Sequence, residues 1–508
     1  MDFPWLSLIV FLPAAGAIAV AFYPRLQPRS IKLTAAAFTL VTFGLSLAVF
    51  AMFDRSSGAD LFQFEERVTD WIPIIHADYH LGVDGLSLPF LVLTTFLGFL
   101  AVLVSWKVTI RPREYFASLL LLEMGILGVF SSLDLILFFL FWEVELIPMY
   151  LLITIWGTGR KVYSATKFVI YTLVGSALML AGILLLYFKA GPGLVAAGES
   201  PFDMIALSQA AQTWLNTDTI SLLPAIFFLL FFGFAIKLPV FPLHTWLPDA
   251  HTDAPTAVSV ILAGVLLKMG GYGMIRLCVS IFPGVARDYA PLLVTFAIIS
   301  VLYGAAVTLR QRDLKRLIAY SSISHMGYVL LGIFALSQVS LTGAALQIVS
   351  HGIVTGLLFA MVGLVYEKTH ERNLDRLGGL ARQMPIIVVV FSVAGLASLG
   401  LPGTSGFAAE FLVFVGSFSS DAFSSIQIYT ALGALGIVVT AGYILWMLQR
   451  VFYNEPLEQY EGVRDANVVE MVATFPLVAA IMLIGIYPAV LTDIIKVGVA
   501  PIAGMLGT

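Results

Sequence analysis

The sequence predicts an all-α integral membrane protein of about fourteen transmembrane helices. Three observations predict it. Of 508 residues, 59% are hydrophobic and only 11% charged, less than half the ~25% charge of a soluble domain. The mean hydropathy is +0.96. The apolar residues fall in runs of about twenty, long enough to cross a hydrocarbon core as a helix, and the runs lack the period-2 alternation of a barrel.

In chain order the runs are 3–22, 31–52, 84–105, 114–131, 133–156, 163–188, 221–250, 257–276, 290–309, 316–336, 341–366, 385–416, 429–449 and 468–491, numbered below as spans 1 to 14. The start Met1-Asp2-Phe3-Pro4 has no basic leader, and no small-x-small cleavage site follows, so span 1 reads as a helix rather than a cleaved signal. Net charge −4 leaves no basic field for nucleic acid, and lipid is the expected surroundings. The single cysteine, Cys278, excludes a disulfide framework and a thiolate-held metal or iron–sulfur cluster. Seven scattered histidines add no metal-ligand pattern.

Basic residues orient the spans. One set of connections (around 25–32, 107–113, 160–161, 310–316, 368–382 and 450–464) holds 18 of the 27 lysines and arginines. The opposite set holds Arg55, Arg67, Lys189, Arg276, Arg287 and Lys496. The first set is expected in the cytoplasm, with both termini and an acidic 53–80 loop on the other side. Lys167, Lys237 and Lys268 remain, all inside spans. Lys167 is near a span end and can snorkel. Lys237 and Lys268 lie deep, where a lysine costs roughly 2.5–3.5 kcal/mol on insertion scales and is functional by default. Glu143, Glu145, His325, His351 and Glu410 are also deep in spans.

Two spans carry proline breaks: Lys237-Leu238-Pro239-Val240-Phe241-Pro242 in span 7 and Leu401-Pro402-Gly403 in span 12. Backbone freed at membrane depth needs protein or water to satisfy it, and paired broken helices mark transport sites. The breaks are five spans apart, an odd number, which predicts two five-helix units of inverted topology, spans 4–8 and 9–13. The expected regions are 1–113 (N-terminal helices and acidic external loop), 114–276 (first unit), 290–450 (second, inverted unit) and 451–508 (C-terminal helix). Little is expected after span 14.

Phe138 through Leu152, with Trp142-Glu143-Val144-Glu145 and Leu146-Ile147-Pro148-Met149-Tyr150, resembles the glutamate-bearing helix of the antiporter-like subunits of respiratory complex I. The same likeness runs through Lys237-Leu238-Pro239, His244-Thr245-Trp246-Leu247-Pro248-Asp249-Ala250-His251, Leu266-Leu267-Lys268-Met269-Gly270-Gly271, Asp313 to Ser322 with His325-Met326-Gly327, and Leu401-Pro402-Gly403 with Gly406-Phe407 and Glu410. It covers about residues 80–450. The photosynthetic NAD(P)H–plastoquinone counterpart is a close relative, and cation/proton antiporter subunits are more distant.

The resemblance implies a proton-translocating membrane-arm subunit whose pathway residues are Glu143, Lys237, Lys268, His325, His351 and Glu410. Glu143 is the expected charge partner of Lys237. Glu145, about 200° further round a helix, is expected to be structural. Lys268 is the expected central carrier, His325 and His351 the relay, and Glu410 the exit. His244 and His251 are read as loop structure or proton uptake. No cofactor is expected in this chain; NADH, FMN, iron–sulfur clusters and quinone belong to partner subunits, which include related antiporter-like subunits. The expected location is a bacterial inner membrane, or a thylakoid for the photosynthetic form. The competing readings are a cation/proton antiporter subunit and a structural scaffold; the full ionisable set argues against the scaffold.

Overall fold

The structure, a computed structural model, describes residues 3–22, 27–56, 60–214 and 222–507. Met1, Asp2, Arg25 and Ser221, which figure in the sequence reading, fall outside these residues. Among the described residues, twelve helices are long and apolar enough to cross a membrane, and four shorter apolar helices accompany them: Leu88–Val104, Leu222–Lys237, Pro385–Ser398 and Ser405–Phe418. Each predicted span falls on helix. Spans 7 and 12 are divided where their prolines deny the ladder an amide.

Helix ends are fixed by local chemistry. The Asp134 carboxylate accepts from the Ile136 and Leu137 amides at 2.8 and 3.1 Å and starts span 5. Ser337 and Asn467 open spans 11 and 14 with capping boxes. The connections sort into two sets, the sets defined by the charge count. At one end Lys107 bonds Glu470, Arg372 bonds the Thr252 carbonyl, and Arg450 bonds Asp375. At the other, Leu133 bonds the His80 carbonyl, Arg276 pairs with Asp84, and Arg287 bonds the Leu506 carbonyl.

Spans 8, 10 and 11 form the interior. The windows of Thr256–Val279, Leu314–Phe334 and Gln338–Thr369 are 100%, 94% and 94% buried, against 39% and 28% for spans 1 and 2. Span 8 is not a plain helix. Two π-helical stretches, Leu262–Leu266 and Met274–Val279, flank Lys268; such bulges free backbone groups and recur at functional sites.

Two regions differ from expectation. The acidic 53–80 loop contains an antiparallel hairpin, β1 (Gln63–Ile72) and β2 (Ala77–Val83), with Val68 opposite Tyr79 and Arg67 opposite His80. The fold is therefore helical with one two-stranded sheet. Buried His80 sits between Asp203 and Glu65, each 3.1 Å away, while Arg67 bonds Asp78 at 2.8 Å. These charges tie the hairpin to the 200–203 connection. Beyond span 14, where little was expected, Tyr487 and Pro488 end Val468–Ile486 and a further helix, Ala489–Leu506, follows. It runs across the hairpin end of the bundle. A Cβ on Gly85 would lie 2.0 Å from the Ile494 carbonyl, so this helix packs directly on the start of span 3.

Candidate functional site

At the first break, Lys237 ends Leu222–Lys237. Pro239 has no amide for the Ala235 carbonyl, so Val240 supplies its own at 3.0 Å instead. That leaves the Ile236 carbonyl without its usual donor, and the Trp246 indole fills the place at 2.9 Å. The Phe241 amide donates to the Ser300 hydroxyl of span 9 at 3.0 Å, so the break is satisfied partly by its own span and partly by a neighbour, as a membrane interior requires.

The Lys237 ammonium is in contact with Glu145, and the two side chains are 1% and 0% exposed. The faces of Trp142 and Phe168 lie 5.1 and 5.7 Å from it. This corrects the expected pairing: Glu145, not Glu143, touches Lys237. Glu143 is half-buried and acts on the ammonium only through space. Span 5 is divided at Glu145 into Leu135–Val144 and Leu146–Trp156, because Pro148 cannot donate to the preceding turn. The resulting face points Glu145 inward. Lys167, expected to snorkel, is paired with Asp249 at 2.7 Å.

Lys268 is fully buried and donates to the Ala263 carbonyl inside the first π-helical stretch. There the Leu267 amide reaches back to Leu262 at 3.3 Å, leaving the Ala263 oxygen open to the side chain. The same ammonium lies 2.7 Å from His351 Nδ1. The His351 and His325 rings are 5.3 Å apart between centroids. His325 Nε2 is 3.8 Å from Glu410 Oε1, and Gln347 Nε2 is 3.5 Å from the same oxygen. A small cavity lined by His325, Gln347, Ser350, His351, Ser398 and Glu410 offers about 10 Å³ for the centre of a water molecule, room for roughly one.

Four of the six expected residues therefore form one buried row: Lys268, His351, His325, Glu410. Lys237 belongs to a separate pair with Glu145, and Glu143 is outside both. Gln347 and the Ser398 carbonyl complete the row without having been expected; a polar side chain mid-span was the only signal for Gln347. His251 is buried within helix Trp246–Asp253, stacked on Phe359 at 4.4 Å, and His244 lies against Phe241 and Tyr303. Among the described residues no group of three or more His, Cys, Asp or Glu could hold a metal ion.

A row of ionisable groups through the buried centre of a many-span bundle defines a membrane subunit that handles ions. Residues 132–440 match the family described as NADH:quinone oxidoreductase/Mrp antiporter, TM, and the chain belongs to that family. It is 42% identical to NAD(P)H-quinone oxidoreductase chain 4 of Gloeobacter violaceus, over 97% of this chain and 91% of the relative. It is also 42% identical to NADH-quinone oxidoreductase subunit M of Rhodobacter capsulatus, over 97% and 95%. A chain of respiratory complex I from Thermus thermophilus with bound NADH superposes with a TM-score of 0.87 at 28% identity, covering 99% of this chain and all of the other. The Mrp complex from Dietzia sp. shares the fold, with a TM-score of 0.84 at 21% identity.

Proposed function

We propose that this chain is a proton-translocating membrane-arm subunit of an NADH– or NAD(P)H–quinone oxidoreductase, with proton passage coupled to quinone reduction in other subunits. One observation carries the reading: the buried row from Lys268 through His351 and His325 to Glu410. Lys268 donates to the neutral His351 ring, imidazole accepts on one nitrogen and donates from the other, and one water bridges what the side chains do not span. Glu410 hands the proton on. The Glu145–Lys237 pair sets the charge at the first break, where Leu238 abuts Gly270 on the span of Lys268. Spans 4–8 and 9–13 serve as two inverted units, one around each break.

The partners are the other membrane-arm subunits, above all related antiporter-like ones; NADH, FMN, iron–sulfur clusters and quinone are held elsewhere in the complex. The location is the bacterial cytoplasmic membrane, or the thylakoid in a photosynthetic complex.

Glu410→Gln keeps the contact to Gln347 and cannot carry a proton. It is expected to leave the complex assembled, with proton transfer through this subunit lost in reconstituted vesicles. Normal transfer in Glu410→Gln would remove Glu410 from the path. Sodium/proton exchange without quinone turnover would assign the chain to the antiporter branch instead.

A further inference from the structure

His325 is held in an unusual way. Its Nδ1 is 2.7 Å from the Ser321 carbonyl, one turn back on span 10, and its Nε2 is 2.9 Å from the Ser398 carbonyl on span 12. Both partners are oxygens that only accept. A neutral imidazole carries one N–H, so in either tautomer one ring nitrogen points its lone pair at a carbonyl. Only the doubly protonated ring donates to both.

The Ser398 oxygen is open for a reason written in the chain. Its amide donor in a continuous helix would be residue 402, and residue 402 is proline. The nearby amides go elsewhere: Leu399 to Gly395, Gly400 to Ala397, Leu401 to Leu396. Ser398 is also the last residue of the first half of span 12. The bond from His325 is thus the one that satisfies the carbonyl at the edge of the break.

We propose that the Ser321 and Ser398 carbonyls form a proton-binding cradle around His325, in which the second proton on the ring fastens the first half of span 12 to span 10. The groups facing the cradle are Glu410 on the second half of span 12, His351 on span 11 with Lys268 of span 8 behind it, and Tyr328 one turn along span 10. Tyr443 of span 13 lies near both Glu410 and Ser321. Span 9 meets this stretch at Val301 and Gly304, neither ionisable.

When the proton leaves, the Nε2–H bond breaks and an O–H bond forms on Glu410. Imidazolium and carboxylate become neutral ring and carboxylic acid, and the Ser398 carbonyl loses its donor. The destination rests on the proton path proposed above; the fastening does not.

The test is hydrogen–deuterium exchange of the amides at 399–406 in the purified, assembled complex, corrected for intrinsic exchange at each pH. Protection in the wild type is expected to fall about tenfold to a hundredfold as pH rises and the ring loses its second proton, the range for a hydrogen bond to a charged group. His325→Gln keeps an N–H donor that does not titrate, and its protection is expected to be flat with pH. Glu410→Gln is expected to keep the pH dependence. A pH-independent wild type, or a pH dependence that persists in His325→Gln, would overturn the cradle. Proton transfer is measured on the same preparations. Blocked or normal transfer judges the path, and the exchange profile judges the cradle.

Discussion

Replacing Glu145 with glutamine removes the carboxylate that touches Lys237 and keeps the shape of the side chain. Both partners are at most 1% exposed, so no water takes over the vacated role. Removing one member of a buried pair costs about 3–5 kcal/mol, because it strands a charge. The Trp142 and Phe168 rings contribute about 2 kcal/mol or more to a desolvated cation, but they are present before and after and so do not offset the loss. Glu143→Gln alters a half-buried group with no contact to the ammonium and is expected to cost less than about 1 kcal/mol. Glu145→Gln combined with Lys237→Met removes both charges and is expected to recover most of the lost stability, a coupling of about 3 kcal/mol. The assay is heat-induced loss of the intact complex on native gels for the three single variants and the double. Proton flux is measured in parallel. If Glu143→Gln destabilised as much as Glu145→Gln, or if the double variant were no better than Glu145→Gln alone, the pairing would be wrong.

The orientation predicts that a cysteine at Arg376, 73% exposed at the basic end, reacts with a membrane-impermeant thiol reagent in inverted vesicles only. Reaction in intact cells would reverse the topology. At the hairpin, burial alone would lower the pKa of His80, but its bonds to Asp203 and Glu65 outweigh this and raise it to about 9. Its contribution to anchoring is therefore complete below about 6.5 and is lost as pH rises through about 9, so protection of residues 63–83 from proteolysis should fall between pH 7 and 10. His80→Gln should flatten that profile. A Cβ on Gly485 would sit 2.3 Å from the Gly403 carbonyl, so Gly485→Ala should push span 14 off the second break. The expected cost is about 1–3 kcal/mol, read as earlier thermal disassembly; an unchanged midpoint would mean that the break yields without strain.

Proline and charge carried most of what the sequence revealed. Pro239 and Pro402 marked both breaks because a missing amide is visible in the residue type itself. The basic residues divided the connections into the two groups that the structure joins at opposite ends. The facing of Glu145 was not legible. In lipid both faces of a helix are apolar, so hydrophobic periodicity does not say which face is inside; exposed Leu140 and Ile147 stand beside buried Phe138 and Phe141. The π-helical stretch around Ala263 has no residue signature, since Leu262–Leu266 would make an ordinary helix equally well. The hairpin was hidden because Glu65, Glu66 and Arg67 run together as charges, on both faces of the strand, where a soluble sheet would alternate. Ala489–Leu506 was missed because span 14 was read on to residue 491 and little was expected after it, whereas Pro488 ends that span and opens a second helix.

That last helix bears on how the protein is made. It follows span 14, so the ribosome releases it after that span and those before it. The start of span 3, with Asp84 bound to Arg276 beside it, stays uncovered until Ile494 and Gly498 arrive against Gly85 and Leu86. The start of span 3 thus waits for residues synthesised after span 14, as does the bond from Arg287 to the Leu506 carbonyl. A chain released early, after span 14, would be fully inserted yet open at one end, with a buried ion pair exposed to water.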